Sequence, residues 1–341
     1  MVTGPGSATT IATIADEVGV SVATVSKVLN GRADVAAETR ARVEASLEQH
    51  RYRRPTRRPS RRSTQLDLVL HEFDAAWAIE IVRGVEAIAE TAKVDVILSQ
   101  LRGEHSPPKA WLDRVLDRGS LGVLFVLCHP SPGQRRQLAR RRIPVVVVDT
   151  DSATSASVPT VGSNNWNGGL IAARHLLMLG HRRIGGVSGP ADVLCSQARV
   201  AGFRSAHDEA GVPVDHDLMR CGNFTARAGY EHGMALLDRP DPPTAIFAGS
   251  DMQAMGVMRA ARQCGLEVPR DLSVVGYDNL PVAGWTEPGL TTVNQPLGEM
   301  AGTATRMLLD LARGVDLLTS RIDLITELVV RESTAPPRTT A

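Results

Sequence analysis

Aromatic side chains are scarce in this chain: four tryptophans, three tyrosines and five phenylalanines make up 4% of 341 residues, so any core must be aliphatic. Cysteine is scarcer still. Cys128, Cys195, Cys221 and Cys264 stand 67, 26 and 43 residues apart, which leaves no Cys-x-x-Cys pair to chelate zinc or run dithiol exchange. They read as reduced, mostly structural thiols. No stretch approaches the ~20 apolar residues that a membrane span needs. The Gly/Ser/Thr-rich start, Met1 to Thr10, lacks the basic and apolar segments of a secretion signal. A cytoplasmic protein with no membrane partner is the expectation. Catalytic signatures are missing as well: there is no G-x-S-x-G elbow, no phosphate loop, no G-x-G-x-x-G and no H-E-x-x-H, and the nine histidines form no paired motif. Neither an enzyme nor a cofactor is expected.

Charge is present in both signs but unevenly placed. Residues 1–65 carry 11 Lys/Arg against 6 Asp/Glu, whereas residues 66–341 carry 27 against 31. A small basic head, suited to a polyanion, joins a large acidic body. In the head, Thr10 can cap a helix whose Ile11, Ile14, Ala15 and Val18 form an apolar stripe, and Gly19 ends it. Ser21 can cap a second helix with Val25, Val28 and Leu29 inward and Val22, Ala23, Ser26 and Lys27 outward. A third helix over about 37–49 places Val43 and Leu47 inward. The pattern predicts an all-α helix-turn-helix domain over residues 1–50. By itself it is equally compatible with a packing unit that never meets nucleic acid.

The run from Thr13 to Gly31, TIADEVGVSVATVSKVLNG, with Thr39-Arg40, Val43 and Tyr52, resembles the N-terminal signature of the lactose-repressor/galactose-repressor (LacI/GalR) family of regulators. The resemblance implies that the second helix enters the major groove and that Val22, Ala23 and Lys27 reach base edges. The chemistry suits that role: Val22 and Ala23 can meet a thymine methyl, and Lys27 can donate to guanine acceptors. Ser21, Thr24, Ser26, Asn30 and Arg40 read as phosphate contacts or caps. Relatives carry a hinge helix with a minor-groove leucine after the head. Residues 51–65 hold seven arginines, Pro55 and Pro59 instead, so a regular helix is not expected there. Arg57, Arg58, Arg61 and Arg62 are expected to track phosphates or enter a narrowed minor groove, or to serve only as a solvated tether.

From Leu66 onward, short apolar runs alternate with helix-like segments, which reads as parallel βαβ units. The expected fold is α/β: the helical head plus a body at 66–341 made of two lobes with parallel sheets. The lobes are drawn at about 66–162 with 293–320, and 163–292 with 321–334; Thr291 to Asn294 and the region near Leu318 to Arg321 are taken as crossings. The segments His175-Leu176-Leu177, Gly180 to Ile184, Arg199 with Ala201-Gly202-Phe203, Ser250-Asp251, Ser273 to Asp278 and Leu290 to Val293 with Gln295-Pro296 extend the resemblance to a body like a periplasmic sugar-binding protein. That resemblance assigns effector contacts to Trp77, Asn167, Arg199, Phe224, Ser250 and Asp278. Asp251 follows a strand and is read either as a ligand contact or as a helix cap. Trp166, Trp285, Cys195 and Gln100 are weaker candidates. Carboxylates, a guanidinium and an aromatic face are equipment for a sugar. The implied protein is a homodimeric regulator, in the first instance a repressor, that binds a near-palindromic double-stranded operator under control of a sugar effector. A purine effector, an activator, a carbohydrate-acting enzyme using Asp251 and Asp278, and an exported solute-binding protein are the alternatives.

Overall fold

Hydroxyl side chains open the first two helices. Thr10 accepts a hydrogen bond from the Thr13 backbone N–H at 3.3 Å and precedes α1 (Ile11–Val18), and Ser21 accepts from the Thr24 N–H at 3.1 Å and precedes α2 (Val22–Leu29). Between them Gly19 lies at φ 72°, a left-handed turn that glycine adopts without a Cβ clash. The third helix, α3 (Ala37–Gln49), closes a core of Ile14, Ala15, Val18, Val25, Val28 and Val43. Arg42 on α3 donates to the Val18 carbonyl at 2.5 Å and ties α3 to the end of α1.

The computed structural model describes residues 10–29, 35–50, 52, 64–71, 76–101, 106–149 and 158–338, which fall into two compact units divided after Arg61. Asn30, Arg57, Arg58, Arg61 and Arg62, and with them the expected irregular hinge, lie outside the described residues.

In the second unit the aliphatic runs become strands: β1 (Gln65–Leu70), β2 (Asp95–Gln100), β3 (Val123–Val126), β4 (Val145–Val148), β5 (Thr160–Ser163), β6 (Ile184–Ser188), β7 (Met219–Cys221), β8 (Ala245–Ala248), β9 (Ser273–Asp278), β10 (Thr291–Asn294), β11 (Arg321–Leu324) and β12 (Glu327–Val329). They form two sheets, ordered β11-β5-β4-β3-β1-β2 and β12-β10-β9-β8-β6-β7, and β12 on β10 is the antiparallel pairing. Helices cover both faces of each sheet, as parallel strands require. On the first sheet α4 (Ala76–Ala92) packs one face, and α5 (Lys109–Arg118) and α6 (Pro132–Arg140) pack the other. On the second, α7 (Asn165–Met178) and α8 (Leu194–Ala210) lie opposite α9 (Ala226–Leu237) and α10 (Asp251–Gln263). The last helix, α11 (Leu297–Arg313), returns to pack beside α4.

The lobe boundaries need two corrections. Arg321–Leu324 pairs with Thr160–Ser163 and so belongs to the first sheet, although residues 321–334 were expected wholly in the second lobe. Thr291–Asn294, read as a crossing and in part as first lobe, is an interior strand of the second sheet beside β9. Both strands are rich in polar residues, and the chain changes lobe between β11 and β12 within two residues, so no shift in composition marks the crossing. Asn164 and Asn167 hold this last crossing. The Asn164 N–H donates to the Leu324 carbonyl at 2.9 Å, and Asn167 Nδ2 donates to the Thr326 carbonyl at 3.3 Å.

Candidate functional site

On the head, α2 presents Val22, Ala23 and Lys27 to solvent while Val25 and Val28 are buried. Val22 is 44% exposed, so burial in the head's core does not account for its being apolar. Ser21 and Thr24 share a hydroxyl hydrogen bond of 2.9 Å at the start of this helix. Ser26 and Arg40 are half-buried.

In the body, the carboxyl ends of the strands of both sheets meet across a cleft. Trp77, Ile81, Leu127, Asp149 and Met300 line it from the first lobe, and Cys195, Arg199, Phe224 and Asp278 from the second, with Gln295 at the crossing between them. The cleft is narrow: about 30 Å³ is open to the centre of a water-sized guest, so a larger ligand enters only if the lobes part. Three lining residues sit where their strands end with left-handed backbone: Leu127 at φ 52°, Asp149 at φ 48° and Asp278 at φ 107°. Such backbone costs on the order of 1–3 kcal/mol per residue, and it is concentrated here.

Arg199 organises the polar side of the cleft. Its Nε donates to Asn165 Oδ1 at 2.8 Å, Nη1 to the Gly249 carbonyl at 2.6 Å and Nη2 to Gln295 Oε1 at 2.8 Å. Its guanidinium lies 3.6 Å from the centre of the Tyr277 ring and 5.6 Å from that of Phe224. Asp278 Oδ1 is 3.7 Å from Nη1. From the other lobe Asp149 accepts from Gln295 Nε2 at 3.1 Å and from Asn165 Nδ2 at 3.5 Å. Burial pushes the carboxyl pKa of Asp149 up and that of Asp278 well up, while the Arg199 charge pulls both back down. Burial also pushes the Cys195 thiol up to about 12, so it is a protonated wall and not a nucleophile.

The structure therefore brings Trp77, Arg199, Phe224 and Asp278 together and leaves three expected contacts out of the cleft lining. Ser250 caps α10, accepting from the Gln253 N–H at 3.1 Å and donating to the Phe224 carbonyl at 3.2 Å. Asp251 is fully buried behind the cleft, where it accepts from the Leu280 N–H at 2.7 Å and from Thr292 Oγ1 at 2.5 Å. Asn167 serves the crossing described above. Trp166 and Trp285 are surface residues, 43% and 79% exposed. Reasoning from sequence missed Asp149, Asn165, Tyr277 and Gln295. Asp149 could have been found, because it follows a run of four valines just as Asp278 follows an apolar strand.

Burial raises the Asp251 carboxyl to about 7 against the pull of its hydrogen bonds with Thr292 and with the backbone of Leu280 and Tyr277. Since its pKa is higher folded than unfolded, its contribution to stability is complete below about pH 4 and is lost as pH rises through 7. Asp251→Asn removes this titration. The fall in urea midpoint between pH 5 and pH 7.5 should be smaller in the variant than in the wild type; an equal fall would show that Asp251 does not titrate in this range.

Comparison with known proteins agrees with both units. Residues 10–55 match the model of the lacI family of bacterial regulatory proteins, and residues 173–334 match that of a periplasmic binding protein-like domain. The HTH-type transcriptional repressor PurR of Escherichia coli is 34% identical over 306 residues, covering 88% of this chain and 89% of PurR. A structure of the transcriptional regulator CelR in complex with cellobiose is 32% identical, covers 95% of this chain and 99% of that one, and superposes with a TM-score of 0.72. A LacI-family regulator from Enterococcus faecium with bound ribose, 27% identical, covers 80% of this chain and 100% of its own at a TM-score of 0.72. With the head, the two-lobed body and nearly the full length accounted for, this chain belongs to the LacI family and is a DNA-binding transcriptional repressor, not an enzyme.

Proposed function

We propose that the repressor is controlled by a sugar bound in the cleft between the lobes, with Trp77, Arg199, Phe224 and Asp278 as its contacts, and that it acts as a homodimer on a near-palindromic operator. The observation that carries the reading is the pairing of the Asp278 carboxylate with Arg199 in a cleft flanked by the Trp77 and Phe224 rings. A carboxylate accepts from two adjacent hydroxyls, a guanidinium donates to ring and hydroxyl oxygens, and the rings cover the C–H faces. Likeness to regulators solved with cellobiose and with ribose supports this chemistry. Val22, Ala23 and Lys27 are the base-reading positions in this proposal, and Ser21, Thr24, Ser26 and Arg40 hold the backbone. A two-fold dimer presents two such helices and so calls for matched half-sites. A cytoplasmic location fits a DNA-binding role, and among the described residues no helix is long and apolar enough to cross a membrane.

The likeness to PurR favours a second reading, a purine between the same rings with Asp278 accepting from ring N–H groups. Thermal melts with cellobiose, glucose, ribose, hypoxanthine and guanine separate the two. A ligand at 100 times its Kd should stabilise the body by about 2.7 kcal/mol. In Asp278→Asn the same ligand should bind about 10- to 100-fold more weakly, the cost of losing a charged acceptor. The asparagine tolerates the left-handed backbone, so the fold is kept. A response to purines alone would overturn the sugar reading. A hit unaffected by Asp278→Asn would remove that residue from the contacts.

A further inference from the structure

Between Asp117 and Asp149 the chain has no acidic residue, and within that stretch Arg135, Arg136, Arg140, Arg141 and Arg142 fall in eight positions of an otherwise acidic body. They lie on α6 and the turn after it. Arg136, Arg140, Arg141 and Arg142 are exposed and Arg135 is half-buried. Among the described residues none of the five forms an ion pair. Three of them, Arg135, Arg136 and Arg142, border an open groove floored by Ile143, Val158 and Leu311, and no carboxylate lines it among the described residues.

The arrangement is costly to the isolated chain. Arg136 and Arg140 stand at i and i+4 on one face of the helix, a repulsive spacing for like charges. Arg135 and Arg136 are the fourth and fifth of the nine residues of α6, outside its last turn, so the helix dipole explains at most the arginines at the carboxyl end. Arg142 takes the left-handed position after the helix at φ 56°, a place held by glycine after α1, α5, α8 and α11. A position that strains any side chain yet carries arginine points to a use for that charge.

The position of the groove indicates the use. It lies at the amino ends of β4 and β5, formed by Ile143 to Val145 with Val158 and Pro159. The strands are parallel, so this is also the end of the sheet at which β1 begins, two strands away or about 10 Å, and in the sequence β1 directly follows the seven arginines of residues 51–62. We propose that these five arginines form a second DNA-binding surface, on the body itself, that grips the phosphate backbone of duplex flanking the site read by the head. The nine residues of α6 span about 13 Å, the axial length over which one strand of duplex presents about four phosphates.

The test uses the full-length protein and measures fluorescence anisotropy of two labelled random-sequence duplexes, 16 and 50 base pairs long, between 50 and 200 mM KCl. The variant is Arg135→Gln, Arg136→Gln, Arg140→Gln, Arg141→Gln and Arg142→Gly. Glutamine keeps the helix, and glycine suits the left-handed turn, so the thermal midpoint should not fall. On the 50-base-pair duplex the slope of log K against log[KCl] should lose about 3 units per protomer, as expected for three to four phosphate contacts, and affinity at 100 mM should drop at least tenfold. On the 16-base-pair duplex the two proteins should bind alike. Equal slopes on the long duplex would overturn the proposal. So would an equal loss on the short duplex, or the same loss from Arg204→Gln with Arg262→Gln on the other lobe, since either would reduce the effect to net charge. An unchanged DNA slope together with lost binding to polyglutamate would also overturn it and would assign the surface to an acidic protein partner.

Discussion

Arg199→Ala is expected to destabilise the body by about 3–5 kcal/mol at pH 7.5, the usual cost of removing one partner from a buried charged network. Three hydrogen bonds are lost, to Asn165, Gly249 and Gln295, and two carboxyl groups, the buried Asp278 and the half-buried Asp149, lose their nearby cation. The pH dependence identifies the cause. Burial already holds Asp149 and Asp278 above the ordinary carboxyl range, and Arg199 is the group that pulls them down. Without it their folded pKa values rise further, so in the variant their share of stability is present at low pH and lost as pH increases. The deficit measured by urea unfolding should therefore be larger at pH 7.5 than at pH 5. Arg199→Met, which refills part of the space over Tyr277, separates packing from charge: it should recover some of the loss at both pH values without removing the pH slope. A deficit independent of pH would mean that packing against Tyr277 and Phe224, and not charge, is what Arg199 supplies. Because Gln295 links Arg199 in one lobe to Asp149 in the other, the substitution should also uncouple the lobes and abolish any effector response in DNA binding.

Much of this architecture can be read from the residues, for physical reasons that also explain where reading stops. In the head, α1 and α2 follow from caps and stripes and begin where Thr10 and Ser21 place them, while α3, which no side chain caps, follows from its inward Val43 and Leu47. Strands such as Val145–Val148 and Ala245–Ala248 announce themselves as aliphatic runs because both their faces are covered. Thr160–Ser163, Met219–Cys221 and Thr291–Asn294 do not. They are short, and hydroxyls or a single arginine stand where a strand signal would need apolar residues. In the cleft, Asp278 and Arg199 are legible through the family motif and Asp149 through the four valines before it, whereas the hydrogen bonds that join Asp149 to Asn165 and Gln295 depend on the approach of two lobes, which no local pattern encodes. Ser250 and Asp251 show the converse. They stand beside a strand end that points at the cleft, but a helix cap and a buried pair of donors use their oxygens first.

The lack of aromatic bulk noted at the outset has a structural counterpart in glycine, and it gives the last prediction. Gly169 on α7 and Gly202 on α8 let these helices pack backbone to backbone. A Cβ on Gly169 would fall 1.9 Å from the Arg199 carbonyl oxygen, and one on Gly202 would fall 1.9 Å from that of Trp166. Gly202→Ala gains helix propensity worth about 1 kcal/mol but must push two backbones apart, so a net loss of about 3 kcal/mol is expected. The same exchange at Gly133 on α6 meets nothing nearer than 3.9 Å and should stabilise the body by about 0.5 kcal/mol. Opposite shifts of the urea midpoint for one chemical change would establish that helix contact, and not glycine's flexibility, dictates position 202. If Gly202→Ala were neutral, the two helices would have to be free to slide apart. The displacement also has a functional consequence, because α8 carries Arg199 and α7 carries Asn165, whose hydrogen bond is 2.8 Å long. A shift of about 1 Å breaks that bond, since hydrogen bonding fades quickly beyond about 3.2 Å. Gly202→Ala should therefore weaken effector binding even under conditions where the variant is fully folded, which ligand titration of the folded protein will measure.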